Sequence, residues 1–148
     1  MNKESLRHRE TTGVIILDSF GRFLLQQRDD LIGIASPGKI GLFGGHCESG
    51  ETPLECIVRE VHEETGFFIP PERFEHLGSF DGADIDIEGG TLRGHLFVVR
   101  DIHANALVIT EGALVIVDPA DVSRIGPRLA PTAQAALDIF LNGIPTKS

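Results

Sequence analysis

Glu60, Glu63 and Glu64 are the residues of this chain whose type and spacing most plainly could do chemistry. If the segment that carries them is helical, at ~100° per residue, they fall within an arc of roughly 100°. Like charges at that spacing repel one another. A hard divalent cation held by oxygen ligands offsets such repulsion most directly, so the expected chemistry is metal binding. Taken alone, the three glutamates read equally well as a solvated acidic helix face.

The elements around them are prepared to position a helix. Thr52 is placed as N-cap, Pro53 falls at the first helical position, and Glu55 lies where a capping box needs it. Gly66 is placed to end the helix in the left-handed conformation. Leu54, Ile57, Val58 and Val61 recur with helical period and predict a buried stripe beside the glutamate arc. Arg59 lies outside that arc, where it can pair with Glu51 and hold the preceding loop to the helix.

The stretch from Gly45 to Phe67 has a wider pattern. Gly45 is followed by five residues, Glu51, seven residues, Arg59-Glu60, the aliphatic Val61, one residue, Glu63-Glu64, one residue, Gly66 and the apolar Phe67. This resembles the Nudix box of MutT-like hydrolases at every specified position. With residue frequencies of roughly 5–7% each, a chance match in so short a chain is below about one in a million. The resemblance implies a Nudix-type α/β/α sandwich with a mixed sheet. It implies hydrolysis of a nucleoside diphosphate linked to some group X, with Mg2+ or Mn2+ as cofactor. It also implies that Glu60, Glu63 and Glu64 bind metal, one of them doubling as general base, and that the Gly45 carbonyl is a further metal ligand. In the family the arginine of the box is usually paired with the glutamate matching Glu51. The segment Ile40–Gly45 departs from the family's usual approach: Ile40 stands where Trp is common and Phe43 where Pro is.

Composition narrows the alternatives. The chain has 148 residues and 41% apolar content, which suits one globular domain, taken as residues 1–148. Its net charge of −9 gives no electrostatic footprint for a nucleic acid duplex. No apolar run long enough to span a membrane occurs. The N-terminus lacks the apolar segment of a signal peptide. Cys47 and Cys56 form no CxxC pair, and a cytoplasmic location with free thiols is expected. His46 and Cys47 hint at zinc, but two soft ligands cannot close a tetrahedral site.

In chain order, residues 1–11 read as polar and loose or edge-pairing. Gly13–Leu17 and Arg22–Arg28 read as a hairpin turned by Asp18–Gly21. The first of these strands is apolar throughout and belongs in the middle of the sheet. Asp29–Lys39 is a loop by its Gly, Ser and Pro content. After the box, Arg73–Phe80 and Thr91–Arg100 are strands, and the acidic segment Asp81–Gly90 between them reads as a solvated turn. Ala113–Val117 is a strand, Asp118-Pro119 opens a short helix, and Pro131 starts a last helix whose inner face is Ala136, Leu137, Phe140 and Leu141. Glu111-Gly112, just before the strand at 113–117, resembles a downstream element in Nudix enzymes whose glutamate faces the metal. Glu111 therefore joins the catalytic and metal candidates, with a plain turn glutamate as the competing reading.

The substrate is a small nucleotide by resemblance. Conversion of a (d)NTP to (d)NMP and pyrophosphate suits the compact length. A nucleotide sugar or ADP-ribose is the alternative, and a nucleotide-sensing domain without turnover is a third reading. With no Trp or Tyr present, base stacking falls to Phe or Arg. Phe80 is a stacking candidate, and Arg28 and Lys39 are phosphate-binding candidates, with Phe43, Arg22 and Arg93 weighed beside them. The sequence leaves the oligomeric state open, a homodimer included.

Overall fold

The computed structural model describes residues 8–29, 38–84 and 87–143. Among these residues, seven strands form one mixed sheet. They are β1 (His8–Leu17), β2 (Phe23–Gln27), β3 (Ile40–Gly41), β4 (Phe43–His46), β5 (Glu75–Ala83), β6 (Thr91–Val99) and β7 (Ala113–Val117). Three α-helices accompany them: α1 (Pro53–Thr65), the short α2 (Val122–Ile125) and α3 (Pro131–Asn142). The sheet runs β3-β2-β1-β6-β5, with β4 also paired to β1 and β7 to β2. The β1–β6 pairing is parallel and the others are antiparallel.

β1 is the strand on which both layers meet. Its residues Val14 to Ile16 are fully buried, and alternate side chains serve opposite faces. Val14 and Ile16 join Leu24, Phe43, Phe97 and Val99 against Ile57 and Val61 of α1. Ile15 and Leu17 join Phe23, Leu25, Leu96 and Val98 against Ala133, Ala136 and Leu137 of α3. A strand buried on both faces has no polar alternation, which is why its sequence is a continuous apolar run. The helices on the two faces complete the α/β/α layering.

α1 begins and ends as its sequence predicts. The Thr52 hydroxyl accepts from the Glu55 amide, and the Glu55 carboxylate accepts from the Thr52 amide. Gly66 closes the helix at φ 67°. Ile57 and Val61 are buried, while Leu54 and Val58 pack at the margin of the same core.

One open expectation is decided and two are corrected. First, of the loose and pairing alternatives for residues 1–11, pairing holds at 8–11: they begin β1, with β6 on one side and, from Thr11 onward, β4 on the other. Second, the acidic segment is not a solvated turn throughout. Asp81–Ala83 extend β5, and Asp84 is buried against the Arg9 guanidinium, which donates to both carboxylate oxygens. An isolated carboxylate could not be buried at tolerable cost, and the bidentate arginine offsets the loss of water. Third, Leu141 is exposed, and the inner face of α3 is completed by Ala133. The expected loop at 29–39 lies mostly outside the described residues, and of it only Asp29, Gly38 and Lys39 are described.

These placements set a stability contrast. Ile57→Ala is expected to lower the unfolding free energy by about 2–5 kcal/mol. Leu141→Ala should change it by about 0.5 kcal/mol or less. Urea denaturation followed by circular dichroism compares the two.

Candidate active site

The site is built where α1 passes beneath β4. Gly45 faces the helix, and a Cβ there would lie 2.6 Å from the Glu60 carboxylate. Glycine is required at this position for the carboxylate to approach the strand so closely. At Gly44, φ is 148° and a Cβ would come within 2.2 Å of the Thr12 carbonyl oxygen. The Gly44 amide donates to Glu64 Oε1 at 2.9 Å and thereby ties the second glutamate to the same turn.

Arg59 organises the first. Its Nε and Nη2 donate to Glu51 at 2.6 and 2.9 Å, a bidentate clamp between the loop and the helix. Its Nη1 donates to Glu60 at 2.9 Å and to Glu63 at 3.2 Å, and Nη2 also reaches the His46 carbonyl at 3.2 Å. The pairing with Glu51 was legible in the sequence; the reach to Glu60 and Glu63 was not. Arg59 holds Glu51 well below the usual carboxylate range, at about 2.

Glu64 is the most perturbed carboxyl of the site. Burial pushes it up to about 8, and the nearby charges of Glu60 and Glu111 push in the same direction, against the Gly44 amide and Arg28. Glu111 therefore stands within electrostatic reach of the box helix, delivered by the turn before β7. Gln26 holds it there: Gln26 Nε2 donates to Glu111 Oε2 at 2.8 Å and to its carbonyl at 2.9 Å. Sequence reasoning missed Gln26, which follows the apolar run Phe23–Leu25 near the end of β2 and carries no local signal of its role.

Other candidates fall less centrally. The Gly45 carbonyl accepts from the Thr12 and Thr11 hydroxyls at 3.1 and 3.2 Å, and from the Cys56 thiol at 3.6 Å. Arg28 neighbours Glu64 and donates to Gln26 Oε1 at 3.5 Å. Lys39 donates to the Pro127 carbonyl at 2.9 Å. Phe80 packs over Gly94, on the sheet face that carries Leu96 and Val98, opposite to the face covered by α1. Phe43 is fully buried, and Arg22 and Arg93 are paired with Asp18 and Asp81. Burial and the adjacent Cys56 push the Cys47 thiol up to about 12, so it does not offer a thiolate near neutral pH.

The donor set suits a hard divalent ion: it is all oxygen, and burial, with the charges of Glu60 and Glu111 added, disfavours the ionised form of Glu64 in the absence of a cation. In the arrangement seen, no three His, Cys, Asp or Glu side chains among the described residues are gathered closely enough to hold an ion. The carboxylates are engaged instead by Arg59, by the Gly44 amide and by Gln26.

A family model described as the NUDIX domain matches residues 7–138. The chain belongs to the Nudix family. It is 37% identical over 81 residues to an uncharacterised Nudix hydrolase of Yersinia pestis, a match covering 54% of this chain and 42% of that protein. The chain thus spans less than half the length of that curated relative. Among solved structures, the E. coli ORF135 protein is 26% identical, with a TM-score of 0.70 over 95% of this chain and 94% of that one. The MutT Nudix hydrolase from Burkholderia pseudomallei is 22% identical, with a TM-score of 0.71 over 88% and 96% of the two chains. The E. coli dihydroneopterin triphosphate pyrophosphohydrolase is 19% identical, with a TM-score of 0.69 over 91% and 96%. The last two share the Nudix fold with this chain. Nudix hydrolases generally use divalent metals and act on small nucleotides, and no helix among the described residues of this chain is long and apolar enough to cross a membrane.

The Arg59–Glu51 clamp in this Nudix box has a pH signature. The Glu51 carboxyl is depressed from 4.5 to about 2, so its contribution is complete above pH 4.5 and is lost as pH falls through 2. The melting-temperature gap between wild type and Glu51→Gln is expected to be constant above pH 5 and to close between pH 4.5 and 2. Arg59→Lys should recover only part of the loss seen in Arg59→Ala, because an ammonium cannot reproduce the bidentate fork.

Proposed function

We propose that this Nudix hydrolase cleaves a nucleoside triphosphate to the monophosphate and pyrophosphate, with Mg2+ or Mn2+, as a single domain over residues 1–148 acting in the cytoplasm. The observation that carries this reading is that Glu60 and Glu64 of α1 lie against the Gly44–Gly45 strand turn, while Glu111, held by Gln26 in the turn before β7, is near enough for its charge to act on Glu64. The dihydroneopterin triphosphate pyrophosphohydrolase among the structural neighbours bears a triphosphate in its name, in keeping with this choice over a nucleotide sugar or ADP-ribose.

Glu60, Glu63, Glu64 and Glu111, with the Gly45 carbonyl once Thr11 and Thr12 turn away, would hold the ion. A divalent ion in that place neutralises phosphate oxygens and lowers the pKa of bound water. The chain's own residues do the rest. A glutamate of the site takes the proton from the attacking water as general base. Arg28, beside Glu64, and Lys39, whose carbonyl accepts from the Arg28 amide at 2.9 Å, meet phosphate oxygens. Phe80, on the opposite sheet face, does not face this site and is set aside as the stacking residue. Arg59 keeps Glu60 and Glu63 oriented toward the strand turn.

Wild-type protein assayed with Mg2+ against nucleoside triphosphates, nucleotide sugars and ADP-ribose should release pyrophosphate from a triphosphate, and excess chelator should abolish it. Preferred cleavage of a sugar nucleotide or ADP-ribose, or binding without turnover, would overturn the assignment. Glu63→Gln and Glu64→Gln are each expected to lower kcat by roughly 10²-fold with the fold retained. Glu111→Gln should lower it by at least ~10-fold, about 1.4 kcal/mol of transition-state stabilisation. Steady-state kinetics across a Mg2+ titration measures all three.

A further inference from the structure

We infer that Gln26 is a positioning residue for the reaction, acting through Glu111. The inference rests on the reading above that Glu111 belongs to the site. Gln26 sits in β2 between Gly41 of β3 and Leu114 of β7, and it is 1% exposed. The three residues before it in the strand are apolar and fully buried. A primary amide in such a place is disfavoured unless its donors and acceptor are satisfied. A leucine or methionine would fill the volume without that requirement.

Both directions of the amide are used, and toward the same end. Nε2 donates to the Glu111 carbonyl at 2.9 Å and to Glu111 Oε2 at 2.8 Å. One group thus holds Glu111 by its backbone and by its carboxylate. Oε1 accepts from Arg28 Nη1 at 3.5 Å, which links the same amide to the cation beside Glu64. The turn that carries Glu111 is outside regular structure, so no ladder of its own fixes the carboxylate. The next residue, Gly112, has φ 74°, and a Cβ there would lie 2.0 Å from the Gln27 carbonyl oxygen. The turn is therefore pressed onto β2, with Gly112 over Gln27 and Glu111 over Gln26. Glu111 Oε1 has a weaker contact, the Asp29 amide at 3.4 Å. Without Gln26, the carboxylate would be free to leave the box helix for solvent.

A double-mutant cycle tests this. Wild type, Gln26→Met, Glu111→Gln and the double variant are compared by kcat and KM on the triphosphate that the wild type hydrolyses. Mn2+ affinity of each protein without substrate is read from the free-Mn2+ electron paramagnetic resonance signal. Gln26→Met is expected to lower kcat by ~10-fold with KM changed less than about twofold, and to weaken Mn2+ binding several-fold. In the Glu111→Gln background it should add less than about twofold to either loss. Gln26→Glu, which keeps the shape but removes both donors, should lose at least as much as Gln26→Met. A full additional loss in the Glu111→Gln background, or wild-type kinetics and Mn2+ binding in Gln26→Met, overturns the role of Gln26 while leaving Glu111 in the site. A silent Glu111→Gln overturns the placement of Glu111 itself, and the inference with it. Should Gln26→Met fail to fold, the same cycle is run with Gln26→Glu.

Discussion

Like-charged carboxylates crowded beside a strand turn are the constraint on which the rest of this structure depends. Glu60, Glu63 and Glu64 lie on one short helix, and Glu111 approaches from another element. Left alone they would separate into water. Arg59 prevents this for the first two by donating to Glu60 and Glu63 while it is itself clamped to Glu51. Glu64 is held by the Gly44 amide, and remains strongly perturbed because one neutral donor does not offset burial. The two glycines are the steric counterpart of this electrostatic arrangement, since a side chain at either would occupy the space of a carboxylate or of the β1 backbone.

That arrangement needs rigid supports, and the two cores supply them. α1 is pinned by Ile57 and Val61 against the buried Val14, Ile16, Leu24 and Phe43 of the sheet. Because β1 is packed on both faces, β4 is presented to α1 along a register that cannot slip by one residue without exposing the core. The turn before β7 is less regular. Its position comes from the β2–β7 pairing, from Gly112 packed over the Gln27 carbonyl, and from the Gln26 amide. One side of the site is therefore set by apolar packing and the other by hydrogen bonds to a single strand.

Ion pairs elsewhere follow the same logic at smaller scale. Asp18 closes the β1–β2 hairpin by accepting from the Phe20 and Arg22 amides and from the Arg22 guanidinium. Asp84 is buried because Arg9 meets both its oxygens. In each case a buried carboxylate is accompanied by a forked cation or by backbone donors, as its desolvation requires.

Local features of the chain were legible from the sequence because their causes are local. The capping box at Thr52, the proline at the first helical position, Gly66 at the helix end and the spacing of Ile57 and Val61 all act within a few residues, and α1 forms where they place it. The hairpin at Asp18–Gly21 and the apolar run of β1 are legible for the same reason. The box pattern was enough to reach the Nudix family and its fold. What joins residues far apart in the chain had no such signature. Asp84 looked like part of a solvated turn until the β1–β6 register brought Arg9 beside it. Leu141 kept the helical period of a core residue, yet α3 ends before anything covers it. Gln26 looked like an ordinary polar residue at the end of a strand. Only the pairing of β2 with β7 brings the Glu111 turn over it. The reason is physical: capping and periodicity are properties of neighbouring residues, whereas burial and charge compensation depend on which distant segment the sheet places alongside.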